Sequence, residues 1–435
     1  MTLGAVGTQV AETLGIDAES RALIEVPSGV FPWGARLGVG NLATDSVALA
    51  SLAIALLSAD PRPLRVDRDR VAASFGSERI LRIHGAAPSA WAPLSGFWRA
   101  ADGWVRTHAN YPHHERALRT LLGLPDDAGT DAAAAAISAR SAAELEDFAA
   151  DAGSIVGRVR TSEEWLGHPQ GRIVAAAPII THRRLGDAKP RTWSDTGAPL
   201  AGLRVLDLTR VIAGPVAARD LALAGAEVLR VDSPGLPEMG WIHLDTGQGK
   251  RSTLLDLHQA ADRETFDRLL SRAHVVVTGY RPGALTRFGL DPDELAERHP
   301  GLVTASVSAW GTAGPWAERR GFDSIVQAVS GIAMIESADG ETPGALPVQA
   351  LDHATGHFLA AGIVRALGAQ RREGGSTDIR MSLARTAHAL LTSPEPATEP
   401  GPVVTAPPPL AFPGAPERYP VIGGEWGADE AVWLP

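Results

Sequence analysis

Residues 203–232, LRVLDLTRVIAGPVAARDLALAGAEVLRVD, decide the fold class. A short apolar run of strand type, Leu203–Leu208, leads through a helix-like stretch rich in alanine and leucine to a second strand, Glu227–Asp232. Strands that are joined through a helix are typical of βαβ units, whose strands pair in parallel. This stretch therefore predicts an α/β fold with a Rossmann-like, open parallel sheet and helices on both faces.

The same alternation continues towards the end of the chain. Further strands are predicted at Arg251–Leu257, His274–Tyr280 and Leu302–Gly311, with amphipathic helices between them. Ligands of such sheets bind beyond the carboxyl ends of the strands, so the functional site is expected there. No GxGxxG fingerprint follows any of these strands, so a nicotinamide-dinucleotide site is not predicted.

Composition narrows the functional class. The 435 residues carry 40 basic and 50 acidic side chains, a net charge of −10, which does not favour nucleic-acid binding. The absence of cysteine excludes disulfides, thiolate nucleophiles and Cys-ligated metals. The longest apolar run, near Val47–Leu57, is shorter than the ~20 residues of a membrane span, and the N-terminus lacks a signal-peptide pattern. We expect a soluble, cytoplasmic protein with no nucleic-acid or membrane partner.

Five regions are predicted along the chain. They are a mainly helical segment at 1–90, a small α+β domain at 91–185 that opens with a β-hairpin, a polar linker at 186–198, the sheet domain at 199–392, and a Pro-rich tail at 393–435. The turn-rich character of the linker already begins at Thr181.

Two helix-like segments resemble each other. ATDSVALASLAIAL (Ala43–Leu56) aligns without gaps with ATGHFLAAGIVRAL (Ala354–Leu367). Either two helices rich in alanine and leucine are similar by chance, or the N-terminal part is a degenerate copy of a half-protein. In the second case Asn41 takes the place of Asp352, and residues 1–190 should pack intimately against 199–391.

Two groups of histidines could suggest a metal site. His353 and His357 have helical spacing but no intervening glutamate, which a zinc-binding helix would carry. His108, His113 and His114 cluster in HANYPHHE. Solvent-exposed side chains are the favoured interpretation for both groups, and no metal site is predicted.

Seven segments together resemble the CaiB/BaiF family of class III CoA-transferases, which includes formyl-CoA and carnitine CoA-transferases and has α-methylacyl-CoA racemase as a relative. In family order they are LRVLDLTRVIAGP, GAEVLRVDSPG, GKRSTLLDL, VVVTGYRPGALTRFGL, HPGLVTASVSAWGTAGPW, RRGFDSIVQAVSG and ALDHATGHFLAAGI, and they cover nearly all of 199–391. Residues 91–180 resemble the family's small domain, which in the family follows the Rossmann-like half and here precedes it.

The resemblance implies an enzyme that moves CoA between an acyl-CoA thioester and a free carboxylic acid, with CoA as a substrate and no permanently bound cofactor. Asp352, in QALDHATG, matches the family's nucleophile, although a helix cap would also explain an aspartate there. A carboxylate with an ordinary pKa of about 3.9 is ionised at neutral pH and can form an acyl anhydride and then an aspartyl-CoA thioester.

The resemblance also implies a CoA site. Its positions here are Val211, Ile212, Ala213, Lys250, Gly279, Tyr280, Arg281 and Arg287. Arg251, which follows Lys250, is added as a second cation for the CoA phosphates.

Several positions depart from the family pattern. Ser233 and Ser308 replace basic residues, and the family's glycine-rich loop corresponds to HGAAPSAWAPLSG, so formyl-CoA and oxalate specificity is not expected. Phe322 stands where racemases carry a catalytic histidine, which disfavours racemisation. Two alternatives remain: an acyl-CoA racemase or epimerase that uses Asp352 with His353, and an inactive CoA-binding protein. The resemblance further implies a homodimer, interlocked in the family, or a complementary family subunit.

Overall fold

The computed structural model of the protein describes residues 3–26, 29–193 and 197–400. Most of the Pro-rich tail predicted at 393–435, and part of the linker predicted at 186–198, lie outside the described residues. The described chain forms an N-terminal helical segment, a small α+β unit and a large sheet covered by helices.

The N-terminal segment is mainly helical, as expected. Its elements are α1 (Ala5–Thr13), α2 (Ala18–Arg21), β1 (Ile24–Glu25), α3 (Val39–Ala55), β2 (Leu64–Arg65), α4 (Arg68–Phe75) and α5 (Ser77–Ile80). The two short strands pair in parallel.

The small unit contains the expected hairpin and has a core of its own. Its elements are β3 (Phe97–Ala100), β4 (Gly103–Thr107), α6 (Pro112–Leu122), α7 (Thr130–Ser138), α8 (Ala142–Asp151), β5 (Val156–Arg158), α9 (Ser162–Gly167) and α10 (Pro169–Ala176). The three strands form one antiparallel sheet.

The large sheet has seven strands. Its elements and those that cover it are β6 (Thr181–Leu185), β7 (Arg204–Leu208), α11 (Ala213–Leu223), β8 (Glu227–Asp232), α12 (Gly240–Thr246), β9 (Arg251–Leu254), α13 (Ala260–Leu270), β10 (Val275–Thr278), a 3-10 turn (Thr286–Phe288), α14 (Pro292–Arg298), β11 (Val303–Ser308), α15 (Asp323–Ser330), α16 (Ile332–Ile335), α17 (Ala350–Glu373), β12 (Ser376–Ser382) and α18 (Leu383–Thr392).

The strand order is β6-β12-β11-β10-β7-β8-β9, and every neighbouring pair is parallel except β6 with β12. The predicted α/β fold is confirmed. Along the chain, β8 and β9 are added on one side of β7, and β10 to β12 are added on the other side. The order in which strands are added therefore reverses between β7 and β10, which are parallel to each other. In open α/β sheets, ligands bind at the carboxyl ends of the strands at such a reversal.

The interpretation of residues from Thr181 onwards as irregular is wrong for Thr181–Leu185, which form the antiparallel edge strand β6. The segment is polar because an edge strand exposes one side, where charged side chains are common. Arg183 of β6 pairs with Asp293 at 2.9 Å and with the buried Asp378 of β12 at 3.5 Å.

Helix α17 lies at the centre of the molecule and is buried over most of its surface, which explains why its sequence has no polar face. It packs against α3, α11 and β12. The expected packing of the N-terminal part on the sheet domain is therefore seen, since α3 and α17 share one apolar core. No helix in the described ranges is both long and apolar enough to cross a membrane.

Candidate active site

A cavity of about 490 Å³ opens beyond the carboxyl ends of the central strands. It lies at the reversal between β7 and β10, since Leu208 and Gly279 at these strand ends both line it. The first turn of α11 and the first turn of α17 contribute Ala213 and Asp352. The small unit supplies part of the opposite wall with His114, so both halves of the chain build one site.

Asp352 is a buried carboxyl group at the wall of the cavity. It is 6% exposed, lies in the first turn of α17 and lines the cavity. Its backbone N–H donates to Oδ2 of Asp323 at 2.9 Å. Within the described residues, no group donates a hydrogen bond to the Asp352 carboxylate, so its oxygens are not held by the protein.

Asp323 is a fully buried carboxyl group beside Asp352. Its Oδ1 accepts from Nε2 of Gln327 at 2.5 Å, and its Oδ2 accepts at the first turn of α17. Burial raises the pKa of Asp323 to about 6. Burial, followed by the charge of Asp323, raises the pKa of Asp352 well above its ordinary value. The expectation that Asp352 has an ordinary pKa is therefore wrong, because two carboxyl groups share a buried site.

A glycine brings α11 close to α17 near Asp352. Gly356 lies one turn after Asp352, and a Cβ atom at this position would lie only 2.4 Å from the carbonyl oxygen of Ala213. Only glycine lets the first turn of α11 approach α17 this closely. The contact fixes the separation between the cavity walls that Ala213 and Asp352 provide.

The turn between β7 and α11 is strained. Val211 has φ = 68°, a left-handed conformation that is unfavourable for a β-branched residue. Its N–H donates to Oε2 of Glu238 at 3.1 Å, and Glu238 is held in turn by Arg230 at 3.1 Å and by the hydroxyl of Tyr111 at 2.5 Å. Strained backbone of this kind is concentrated at functional sites.

Seven of the ten predicted site residues line the cavity together: Asp352, Val211, Ala213, Gly279, Tyr280, Arg281 and Arg287. Ile212 precedes α11 as its N-terminal cap residue and is not part of the lining. Arg251 lies on the edge strand β9, is 76% exposed and pairs with Glu227 at 3.4 Å.

Lys250 does not reach the cavity either. Its side chain is 1% exposed, and its Nζ donates to Oδ2 of Asp207 and to the carbonyl oxygen of Pro215, both at 2.8 Å. Burial lowers the pKa of Lys250. A buried carboxylate needs a partner, so Lys250 serves as the counter-ion of Asp207 beneath α11. Its predicted role in binding CoA phosphates is not supported by this position.

Comparison with known proteins supports the interpretation of the sheet domain. Residues 200–404 match the family model described as CoA-transferase family III. A probable fatty acyl-CoA transferase of Mycobacterium tuberculosis is 34% identical over 203 residues, which are 44% of this chain and 52% of that protein. This part of the chain matches CoA-transferase family III.

Two further relatives differ in coverage. The alpha subunit of succinyl-CoA–L-malate CoA-transferase of Chloroflexus aurantiacus is 32% identical over 232 residues, 49% of this chain and 51% of that protein. An acyl-CoA transferase of Gibberella moniliformis is 29% identical over 416 residues, 90% of this chain and 68% of that protein. The chain thus spans about half the length of the first two relatives, whereas the third also aligns with the N-terminal part.

The interpretation of the histidines near α6 as solvent-exposed is wrong for His108 and His114, and His113 and His114 line the cavity. His108 and His114 are buried, and the ring of His108 stacks on Phe322 with centroids 3.7 Å apart. Burial lowers the pKa of His108 to about 3 and that of His114 to about 2, so both rings are neutral at pH 7. A sequence signal exists in hindsight, because HANYPHHE directly follows the hairpin of the family's small domain.

His353 and His357 are also buried rather than exposed. The ring of His353 stacks on Phe75 with centroids 5.0 Å apart, and Nδ1 of His357 lies 2.6 Å from Asp220. Neither lines the cavity, so His353 is not placed to act as the second acid or base of a racemase. Among the described residues, no group of three His, Asp or Glu side chains could hold a metal ion.

Cations that the sequence analysis did not single out surround the cavity. Arg210, Arg319 and Arg320 line it together with Arg281 and Arg287, and Ser233 and Ser308 line it as neutral side chains. Nη2 of Arg287 lies 3.3 Å from Nε2 of His258. The two positions where the resemblance implied basic residues are thus neutral, and the arginines that line the cavity come from other parts of the fold.

Proposed function

We propose that this protein is a CoA-transferase that moves CoA from an acyl-CoA thioester to a free carboxylic acid, with Asp352 as the covalent nucleophile. The observation that carries the proposal is the position of Asp352, whose carboxylate accepts no hydrogen bond within the described part of the chain and lines a cavity at the sheet reversal. The match of residues 200–404 to the model of CoA-transferase family III supports the reaction class.

The proposed reaction conserves the thioester energy through covalent intermediates. An Asp352 oxygen attacks the thioester carbonyl, the C–S bond breaks, and a mixed anhydride and the CoA thiolate form. The thiolate then attacks the Asp352 carbonyl carbon, which releases the first acid as a carboxylate and leaves an aspartyl-CoA thioester. The acceptor carboxylate reverses these two steps and leaves with CoA.

Neighbouring groups suit this chemistry. The first turn of α11, with Ala213, presents backbone N–H groups of a helix N-terminus, which stabilise developing negative charge. Arg287 and Arg281 supply cations for the CoA phosphates. Phe322 lines the cavity and is stacked on the ring of His108, and its apolar ring helps to exclude water from the reactive anhydride.

Asp352→Asn tests the nucleophile. The variant keeps the volume of the side chain, so the fold and CoA binding should persist, while transfer should fall by at least about 10³-fold because the covalent path is lost. Incubation of the wild-type protein with a panel of acyl-CoAs, followed by peptide mass analysis, should place CoA or hydroxylamine adducts on Asp352. Asp60→Asn, at an exposed site, is the matched control.

The same experiment separates the rival functions. Transfer that persists in Asp352→Asn would exclude aspartyl catalysis. Binding of CoA without any adduct or transfer would indicate an inactive CoA-binding protein. Exchange of solvent deuterium at the α-carbon of an acyl-CoA would indicate a racemase.

The names of the relatives refer to different acids, so the panel of acyl-CoAs and acids covers both fatty and dicarboxylic classes. We further propose a homodimer or an assembly with a complementary family subunit. Light scattering of the purified chain, alone and with a family partner from the same source, tests this proposal.

A further inference from the structure

A second cavity of about 370 Å³ adjoins the catalytic one, between the small unit and the sheet domain. Its walls come from residues 154–157 around the start of β5, from the segment 310–320 that follows β11, and from α15. No role has been given to this second cavity so far.

Three arginines border both cavities, namely Arg281, Arg319 and Arg320. The two spaces therefore meet at this arginine cluster, and Arg320 lines the same cavity as Asp352. Three acidic residues also line the second cavity, namely Glu146 and Asp151 of α8 and Glu318. Of these, Glu146 is held by Arg160 at 2.7 Å.

Two members of the arginine cluster keep donors available. Nη1 of Arg281 donates to the carbonyl oxygen of Glu318 at 3.0 Å, and Nη1 of Arg320 donates to that of Gly153 at 3.4 Å. No carboxylate of the described ranges pairs with either residue, whereas Arg319 pairs with Asp147 at 3.2 Å. Burial, followed by the charge of Arg281, lowers the pKa of Arg320. A positive charge in this position attracts an anion.

Ser154 provides an independent indication of a ligand. The residue is 4% exposed and lines the second cavity, and its Oγ is buried without a hydrogen-bond partner among the described residues. Buried hydroxyl groups are normally hydrogen-bonded. A hydroxyl donor beside guanidinium donors is a suitable arrangement for the oxygens of a carboxylate.

We propose that the second cavity binds the distal carboxylate of a dicarboxylic substrate whose other carboxyl group reacts at Asp352. The inference rests on the proposed CoA transfer and names its substrate class. The donors are Arg320, Arg281 and Ser154, and Arg320 connects this site to the cavity that holds the nucleophile. A phosphate of CoA offers similar oxygens, so the experiment must distinguish the two sources.

The experiment compares dicarboxylic with monocarboxylic acids of equal carbon number: succinate with butyrate, glutarate with valerate, and adipate with hexanoate. We expect the wild-type protein to have a higher kcat/KM for the dicarboxylic member of at least one pair. In Arg320→Gln, kcat/KM for that acid should fall by about tenfold to hundredfold, the size expected for a hydrogen bond to a charged group. The value for its monocarboxylic counterpart should change by less than about threefold.

Two further variants support the comparison. Ser154→Ala removes one donor with little change in volume and should reduce the same preference by about threefold to tenfold. Arg140→Gln is the matched control, since Arg140 forms a surface pair with Glu144 at 3.0 Å. It should change neither rate.

Several outcomes would overturn the inference while CoA transfer itself stands. If Arg320→Gln lowered kcat/KM equally for the dicarboxylic and the monocarboxylic acid, the role of Arg320 would be merely structural. No dicarboxylate preference in the wild-type protein would exclude the site. Weaker binding of CoA with unchanged binding of dephospho-CoA would assign Arg320 to a phosphate.

If no acid reacts and no Asp352 adduct forms, the proposed function fails instead. Equilibrium dialysis of the full chain against labelled glutarate and valerate then decides the second cavity directly. Binding of glutarate that Arg320→Gln weakens tenfold would support it, and equal binding of the two acids would contradict it.

Discussion

Replacement of Gly356 by alanine should change the geometry of the site, although it replaces none of the proposed reacting groups. In the interior of an ordinary helix, Gly→Ala stabilises the fold by about 0.8–1 kcal/mol. At Gly356 the new Cβ would lie 2.4 Å from the carbonyl oxygen of Ala213 and 2.8 Å from Cβ of Val216, so α11 must move away from α17. Overpacking of this kind costs about 1–3 kcal/mol. The net effect should be a loss of up to about 2 kcal/mol.

Gly368, in the same helix, is the matched control. A Cβ there would lie 3.3 Å from Cδ2 of Leu57 and 3.4 Å from Nη1 of Arg372, which are both ends of flexible side chains. Because both substitutions gain the same helix propensity, the difference between the two variants isolates the steric cost at Ala213. We expect Gly368→Ala to unfold at or above the wild-type temperature and Gly356→Ala to unfold below it.

The assays are scanning calorimetry of the full chain and titration of CoA. Since Ala213 lines the cavity, Gly356→Ala should weaken CoA binding several-fold, whereas Gly368→Ala should leave it unchanged. Equal unfolding temperatures together with equal CoA affinities for the two variants would refute the argument that the α11–α17 contact sets the geometry of the site.

Three further predictions concern charge. Asp323→Asn removes a negative charge that, after burial, raises the pKa of Asp352. Because the ionised carboxylate is the proposed attacking form, kcat/KM should rise with pH, and the acid limb of this profile should move to lower pH in the variant. An unmoved acid limb between pH 5 and 8 would contradict this prediction. Lys250→Met leaves the buried carboxylate of Asp207 without its counter-ion and should lower the free energy of unfolding by about 3–5 kcal/mol. An unchanged urea unfolding curve would show that the ion pair is dispensable. Arg287→Gln should weaken CoA binding more than pantetheine binding, and equal losses would remove it from the phosphate site.

Strands β7, β8, β10 and β11 could be predicted from the sequence because each is a short, largely apolar run. The buried strand β12 is not predicted, because its sequence STDIRMS is mostly polar. Strand β6 could not, since its polar residues follow the requirements of a sheet edge and resemble a turn-rich linker. Its place depends on β12, which lies almost 200 residues further along the chain.

Residues of the candidate site could be predicted where they stand in a recognisable sequence motif. They could not be predicted where their role depends on which side chains the fold buries beside them. Asp352 and Arg287 follow from the family segments. Lys250 stands in a segment that suggests an anion site, but the sequence does not show that Asp207 is buried beneath it and needs a counter-ion. His114 is polar and close to a turn, and it becomes part of the site only when the small unit folds over the sheet domain.

The packing of α3 against α17 has a consequence for biosynthesis. The ribosome makes α3 near the start of the chain and α17 about 300 residues later. At roughly 5–20 residues per second, α3 waits on the order of 15–60 s for its partner. During this interval the apolar residues that α3 later buries, such as Leu49 and Leu52, have no native cover from α17. The nascent N-terminal segment is therefore a natural client for chaperones that shield apolar helices during translation.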